Sequence, residues 1–185
     1  MIVDFCVKIT YDVIVFKTAN IPMTNPIVID DLDRTLLRAL QEDARLSNAE
    51  LARRVDLSAT GLHKRLRRLE EAGIITGYVA RVDREALGYD MLCFVQVTLQ
   101  RHEPDAVDNF RREVQGMAEV LECHHLTGEF DYLLKVVVRN RKHLEQFILN
   151  RLTPVRGMDK IRTSLVLSEI KASAAVPVGE LDYQE

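Results

Sequence analysis

The chain has 185 residues, of which 47% are hydrophobic and 29% charged, and its formal net charge is −3 at pH 7. That composition is typical of a globular protein with one good core or two small ones, which excludes a disordered chain. Lys8, Asp12 and Lys17 interrupt the most apolar stretch, so no segment approaches the roughly 20 apolar residues of a membrane span.

Residues 1–28 form an N-terminal extension that fits neither of the two domains predicted after it. β-branched, aromatic and polar residues alternate through it until the loop-forming segment IPMTNP at 21–26. Two interpretations stay open: a strand or hairpin lying on the surface, or a protein that truly starts at Met23.

Residues 29–82 carry the pattern of a helix-turn-helix domain. Asp30 or Asp31 caps the first helix, and residues 47–50 (SNAE) have the spacing of a capping box at the start of the second. After a short turn, Ser58 caps a third helix. Two capped helices joined by such a turn, behind a supporting helix, are typical of helix-turn-helix units. The apolar residues of the first helix recur at helical spacing: Leu32, Leu36, Leu37 and Leu40.

The third helix has the composition of a DNA-recognition helix. Residues 44–68 hold seven Lys and Arg against two Asp and Glu, although the whole chain is acidic. Leucines fall on one side of this helix and polar residues on the other, so cations can meet phosphates while residues of the first turns reach base edges. The alternative is a solvated charged face. The predicted DNA-binding residues are Ser58, Thr60, His63, Lys64, Arg65, Arg67 and Arg68.

The segment that follows Gly73 predicts a wing. A strand or strand pair is expected from Ile74 to Val82. Arg81 and Arg84 could touch phosphate there, with a solvated linker as the alternative. Residues 83–88 are expected to connect this domain to the next one.

Residues 89–172 predict a second domain that alternates between strands and helices. The order gives a ferredoxin-like βαββαβ fold, an antiparallel sheet with both helices on one face. The fold class is therefore α+β, with an N-terminal winged helix-turn-helix, a C-terminal ferredoxin-like domain and a tail at 173–185. The predicted strands are Met91 to Gln100, Val120 to Thr127, Phe130 to Val138 and Ile161 to Ile170, and the predicted helices are Asp105 to Gln115 and Arg141 to Leu152.

Two of these strands are apolar on both faces, over residues 91–95 and 133–138. Because the helices cover only one face of the sheet, the other face needs cover of its own. The same sheet of a second chain is the simplest cover, so we expect at least a dimer with a two-fold axis.

Six segments carry a family pattern in order: LDR at 32–34, RLSNAELA at 45–52, LS at 57–58, RRLE at 67–70, GIITGY at 73–78 and ECHHLTGEFDYLLK at 122–135. Together they resemble the Lrp/AsnC family, also called feast/famine regulators, over roughly residues 29–175. The resemblance implies a transcription regulator that binds double-stranded DNA in a sequence-specific way. It also implies homodimers that assemble to tetramers or octamers, and an amino-acid effector held between dimers. No cofactor is expected, and the lack of a long apolar segment argues against a membrane partner.

The family's effector positions fall on a loop and on the last strand of this chain. Gly128 lets the backbone turn and approach a ligand closely, while Asp131 offers a carboxylate to an α-ammonium group. A tight hairpin at Gly128 and Glu129 is the alternative interpretation from the residues alone. Ala59 and Gly61 stand where the family often has proline, so the preferred DNA sequence cannot be copied from a relative. The positions that the resemblance assigns to the effector are Leu126, Thr127, Gly128, Asp131, Tyr132, Ser164, Leu165 and Val166.

Three rival functions compete with this interpretation. A metal site at Glu122 and Cys123–His125 is not expected, because strand alternation sends His124 to the face opposite its neighbours. Sirohaem decarboxylases resemble the two-domain architecture, but the capped basic helix and the GEFDY loop favour a regulator without catalysis. An architectural DNA-binding protein without an effector stays an alternative.

The three cysteines are widely spaced and lack a CxxC pair, which favours a reducing compartment and a cytoplasmic protein.

Overall fold

The computed structural model describes residues 28–100, 104–173 and 175–179. Apart from Val28, the expected N-terminal extension lies outside the described residues. The described residues form two compact units, one made of 28–80 with 173 and 175–179, and the other of the described residues between 81 and 172. Within these ranges no helix is both long and apolar enough to cross a bilayer.

Three capped helices build the first unit: α1 (Asp31–Glu42), α2 (Asn48–Arg54) and α3 (Ala59–Glu71). Asp30 caps α1 by accepting from the backbone N–H of Asp33 at 2.8 Å. Ser47 and Glu50 form the predicted capping box of α2, and Ser58 Oγ accepts from the Gly61 N–H at 3.1 Å. Each cap satisfies a backbone donor that the first turn of a helix leaves unpaired, which confirms the helix starts predicted from the sequence. The core between the helices contains Leu36, Leu51, Leu62 and Leu69, all at most 1% exposed.

The strand predicted from Ile74 to Val82 is absent, which corrects that expectation. Gly73 ends α3 in the left-handed region at φ 70°, and the N–H groups of Ile74 and Ile75 both bond to the Leu69 carbonyl. Ile74 and Ile75 pack on the helical core, whereas Val79 is 88% exposed. A strand needs a neighbouring strand to pair its backbone groups, and residues 76–82 have none among the described residues.

The second unit is a four-stranded antiparallel sheet with helices packed on one face, as the βαββαβ pattern predicted. In chain order the elements are β1 (Met91–Leu99), α4 (Pro104–Gln115), β2 (Val120–His125), β3 (Tyr132–Val138), α5 (Arg141–Gln146), a π-helix (Phe147–Leu152) and β4 (Met158–Leu165). The sheet order is β2-β3-β1-β4, with β3 and β1 as the two central strands. The last strand starts three residues earlier than predicted and ends at Leu165, after which Leu167 is 94% exposed.

The two faces of the sheet have different environments. Alternate residues of β1 and β3, such as Val95 and Val136, are fully buried against Phe110 of α4 and Phe147 of the π-helix. The opposite face, here called the open face, carries residues of the other parity, including Phe94, which is 36% exposed. The helices therefore cover one face only, as expected.

The C-terminal segment lies against the first helix. Gln41 donates to the Val176 carbonyl at 3.0 Å and accepts from the Val176 N–H at 2.6 Å. Arg38 Nε donates to the Val178 carbonyl at 2.8 Å. Residues 175–179 thus belong to the first unit, although they follow the last strand of the second in sequence.

Candidate nucleic-acid interface and effector loop

The outer face of α3 presents hydroxyl and basic side chains to solvent. Thr60, His63, Lys64 and Arg67 are exposed, and Lys64 enters no ion pair within the described parts of the chain. Arg67 Nε lies 2.7 Å from Glu71 Oε1, in a pair whose side chains are 70% and 62% exposed. Solvent screens such pairs strongly, so the guanidinium can exchange this partner for another anion.

The start of α3 adds to the positive potential of this face. The first turn of the helix contains no acidic residue, and the unpaired N–H groups of a helix start carry partial positive charge. The hydroxyl of Ser58 already serves as the cap. The geometry therefore favours an anion at the start of α3.

Two of the predicted DNA-binding arginines point to α1 instead. Arg65 Nη1 lies 2.6 Å from Asp30 and 2.9 Å from Asp33, and Arg68 Nη2 also bonds to Asp33. We call these four residues the Asp33 clamp. The side chain of Asp33 has no exposed surface, so, among the described residues, its charge is compensated by these two cations and by the backbone N–H of Asp30, which bonds to it.

Hydrogen bonding sets the ionisation of the clamp's outer carboxylate. The backbone N–H of Asp33, and after it the Arg65 guanidinium, lower the pKa of Asp30 from 3.8 to about 2. Both donors bind the charged form better than the neutral form. The Asp30 carboxyl group is therefore fully ionised at neutral pH.

The predicted effector loop closes between β2 and β3. The Leu126 N–H donates to the Asp131 carbonyl at 2.8 Å, and the Asp131 N–H donates to the Val97 carbonyl at 2.9 Å. Asp131 Oδ2 accepts from the Leu99 N–H at 2.7 Å, so one carboxylate oxygen anchors the loop to the end of β1. Gly128 turns the chain at φ 131°.

A cluster of aromatic rings packs beside this loop, on the helix side of the sheet. Tyr132 is 2% exposed, and its ring lies 4.8 Å from the His125 ring and 4.5 Å from the Phe110 ring. Burial raises the pKa of Tyr132, while the charge of Arg111 nearby lowers it. Burial also raises the pKa of the Cys123 thiol to about 11, so this cysteine stays protonated at neutral pH.

The last-strand effector positions lie at the other end of the sheet. Leu165 pairs with Cys93, and the Val166 N–H bonds to the Leu92 carbonyl, whereas the loop anchors at Leu99. Six residues of strand separate Cys93 from Leu99, which is about 20 Å. Ser164, Leu165 and Val166 therefore do not meet Leu126–Tyr132 within one protomer.

The histidines of β2 alternate as predicted. His124 lies on the open face, 3.1 Å from Glu122, and His125 stacks on Tyr132 on the helix side. In the described ranges no group of three or more His, Cys, Asp or Glu side chains is placed to hold a metal ion.

Sequence reasoning missed Asp30 and Asp33 as partners of α3. A signal was present, because Asp30 and Asp33 are three residues apart, as are Arg65 and Arg68. Such spacing places each pair on one helix face, but only the packing of α1 on α3 shows that the two faces meet.

Two family models match the chain, one for each unit. Residues 29–76 match a winged helix-turn-helix DNA-binding domain, and residues 92–176 match the Lrp/AsnC ligand binding domain. The leucine-responsive regulatory proteins of Escherichia coli K12 and Salmonella typhimurium LT2 are each 41% identical over 145 residues, which is 78% of this chain and 88% of theirs.

Solved structures of regulators share the fold. A transcriptional regulator from Neisseria meningitidis in complex with L-Met superposes with a TM-score of 0.80 at 36% identity, covering 83% of this chain and 99% of that one. AsnC of E. coli gives 0.75 at 30% identity, covering 82% and 100%. The feast or famine regulatory protein of M. tuberculosis, complexed with L-methionine, gives 0.73 at 32% identity, covering 80% and 99%.

Proposed function

The chain belongs to the Lrp/AsnC family of transcription regulators, and from that premise we propose which of its residues bind DNA and which bind an amino-acid effector. The family models divide these tasks between the two units. The observation that carries the proposal is the pair of surfaces described above: an outer face of α3 whose carboxylates, Glu70 and Glu71, lie at its C-terminal end, and a loop anchored by Asp131.

DNA binding is assigned to the outer face of α3. Lys64 and Arg67 neutralise phosphates, while Thr60 and His63, in the first turns, reach base edges. Ser58 acts through the cap, which leaves the N–H groups at the start of α3 to an anion. Arg65 and Arg68 act through the Asp33 clamp, since their guanidinium groups are already paired.

The effector is an amino acid bound at the loop of one protomer together with the last strand of another. Asp131 has one carboxylate oxygen on the Leu99 N–H, and its charge attracts the α-ammonium group of the ligand. Leu126, Thr127 and Gly128 supply backbone and side-chain contacts, and Tyr132 supports the loop from below. The separation of about 20 Å from Ser164, Leu165 and Val166 supports a site shared between chains. Two of the similar regulators have methionine bound.

A homodimer through the open face is the assembly unit. Phe94 and Leu133 are partly exposed on this face, beside a few polar residues, and the same sheet of a second chain covers it with two-fold symmetry. Such a dimer places two copies of α3 in successive major grooves, so its DNA sites are roughly palindromic. Tetramers or octamers of this dimer bring loops and last strands of different dimers together.

The protein is proposed to act without catalysis and in the cytoplasm, where its DNA targets are. Effector binding changes DNA affinity only if the amino acid prefers one assembly or conformation over the other.

The first experiment is a mobility-shift titration of the full chain on its own upstream DNA, repeated with each of the twenty amino acids. We expect specific binding that one amino acid, or a small group, strengthens or weakens. Specific binding without any amino-acid response would favour an architectural DNA-binding protein that has no effector. The absence of specific binding would refute the assignment of DNA binding to α3.

The phosphate contact of α3 is tested by Lys64→Gln. Each lost phosphate contact lowers the slope of log affinity against log salt concentration by about 0.9, so both affinity and salt slope should decrease. Lys142→Gln is the control, since Lys142 is exposed on α5 of the other unit. An unchanged salt slope in Lys64→Gln would remove Lys64 from the interface.

The effector site is tested by Asp131→Asn. Asparagine keeps an oxygen that accepts the Leu99 N–H but removes the negative charge. DNA affinity without effector should stay near that of the original chain, and the amino-acid response should be lost. A normal response would exclude Asp131 from the ammonium site.

A further inference from the structure

A cavity of about 610 Å³ lies between α4 and the π-helix of the second unit, outside the surfaces assigned above. Its volume falls in the range of small-molecule sites. Two nearly buried apolar residues, Met117 and Val155, are part of its lining. The polar part of the lining comes from Asn109, Arg112, Glu113, Asn150, Arg151 and Arg156.

The charges around this cavity are unbalanced. Arg112 donates to the neutral side chain of Asn109 at 2.8 Å, and Arg151 donates to the Gly116 carbonyl at 3.4 Å. In the described part of the chain, neither these two arginines nor Arg156 forms an ion pair with a carboxylate. Three guanidinium groups thus stand against the single carboxylate of Glu113, which leaves an excess of two positive charges.

The π-helix accounts for the position of two of these groups. The Thr153 N–H bonds to the carbonyl of Ile148, five residues earlier, and Phe147 and Leu152 are both buried. In α-helical geometry Arg151 would lie on the same side as Phe147, toward the core. The wider π turn keeps Phe147 and Leu152 in the core and leaves Asn150 and Arg151 at the cavity. Such turns are rare and recur at functional sites.

We propose that this cavity binds a small phosphate monoester, a second ligand distinct from the amino-acid effector. A phosphate monoester carries a charge of about −1.5 to −2 at neutral pH and three acceptor oxygens, which matches the excess of two positive charges. Guanidinium groups bind phosphate through paired N–H donors. The two asparagine amides can bind the polar part of the ester, and Met117 with Val155 contact its apolar part.

The cavity is separate from the other proposed sites. It lies on the helix side of the sheet, so a partner that covers the open face leaves it accessible. The regulator would therefore have two inputs, an amino acid at the shared site and a phosphorylated compound here.

The test is isothermal titration calorimetry of the full chain with phenyl phosphate and with inorganic phosphate, in a buffer free of other phosphate. We expect saturable binding that is at least tenfold weaker in the double variant Arg151→Gln, Arg156→Gln. Arg141→Gln, at an exposed arginine of α5 outside the cavity, should bind as the original chain does. The substituted residues, Arg141, Arg151 and Arg156, are all exposed. Thermal unfolding checks that the variants fold.

Three results would overturn the proposal. One is an absence of binding at millimolar phenyl phosphate, and another is equal binding by the double variant. The third is a loss of DNA affinity and a smaller salt slope in the double variant without phosphate, which would assign these arginines to the DNA backbone. Asp131→Asn should keep phenyl phosphate binding, so a failure of the effector site and a failure of this cavity can be told apart.

Discussion

Asp33 has a carboxylate without exposed surface, and its surroundings decide the role of two arginines of α3. A buried charge is tolerated only when it is paired and hydrogen-bonded. Removing one partner of a buried pair leaves an uncompensated charge, which costs far more than breaking an exposed pair. The clamp therefore fixes how α3 is held on α1, whereas Lys64 and Arg67 on the outer face contribute little to folding.

Asp33→Asn is expected to lower the free energy of unfolding of the first unit by about 3–5 kcal/mol, because Arg68 loses its carboxylate partner and Arg65 keeps only Asp30. Asp31→Asn is the matched control: its side chain is 90% exposed, and a change within about 0.5 kcal/mol is expected. Chemical denaturation measures both values. Equal losses in the two variants would show that the clamp does not hold α1 and α3 together.

A pH dependence follows from Asp30. Its pKa is 3.8 in the unfolded chain and about 2 in the folded one, so the folded state favours the ionised form. The stabilisation is complete above pH 3.8 and is lost as the pH falls through about 2. In urea denaturation across this range, stability should decrease less steeply with falling pH for Asp30→Asn than for the original chain. Parallel curves would contradict the lowered pKa.

At the scale of elements, the β2–β3 loop depends on the backbone conformation of one glycine. Gly128 has φ 131°, which side chains other than glycine rarely adopt, yet a Cβ there would meet no atom within 4 Å. A substitution is therefore opposed by backbone strain and not by a steric clash.

Gly128→Ala should destabilise the loop by about 1–3 kcal/mol and weaken the amino-acid response in the mobility-shift assay. Gly77→Ala is the control, since a Cβ at Gly77 also meets nothing within 4 Å and its φ is not positive. A full response in Gly128→Ala would show that the loop conformation does not matter for the effector.

At the scale of the whole molecule, the open face of the sheet is where we propose that a second chain binds. Phe94 lies beside Lys135 in the strand pairing and is 36% exposed, so it remains available to a second chain. Large apolar side chains near the centre of an interface contribute most of its binding energy.

Phe94→Lys should raise the dimer dissociation constant by about tenfold or more, because it places a charge in the apolar centre next to Lys135. Leu149→Lys is the control: Leu149 is 57% exposed on the π-helix, on the other side of the sheet. Sedimentation velocity over a concentration series measures both. An unchanged dissociation constant in Phe94→Lys would move the dimer interface elsewhere.

The sequence by itself predicted the elements whose chemistry is local. Asp30, the capping box at residues 47–50 and Ser58 act over three residues, so the starts of α1, α2 and α3 follow from spacing alone. The order of strands and helices in the second unit follows from the change between two-residue and 3.6-residue periodicity. The exposed residues of α3 were also predictable, because one side of the helix is filled with leucines.

Only the tertiary structure decided features that join distant residues. The sequence placed Arg65 and Arg68 with Lys64 among the predicted DNA-binding residues, yet they pair with an aspartate more than 30 residues earlier. The expected strand after Gly73 lacks a partner, and the helix predicted from Arg141 to Leu152 becomes a π-helix after Gln146, with Phe147 and Leu152 in the core. The physical reason is the same each time: periodicity and capping are settled within one or two turns of chain, whereas ion pairs, strand pairing and core packing depend on which surfaces meet when the elements pack.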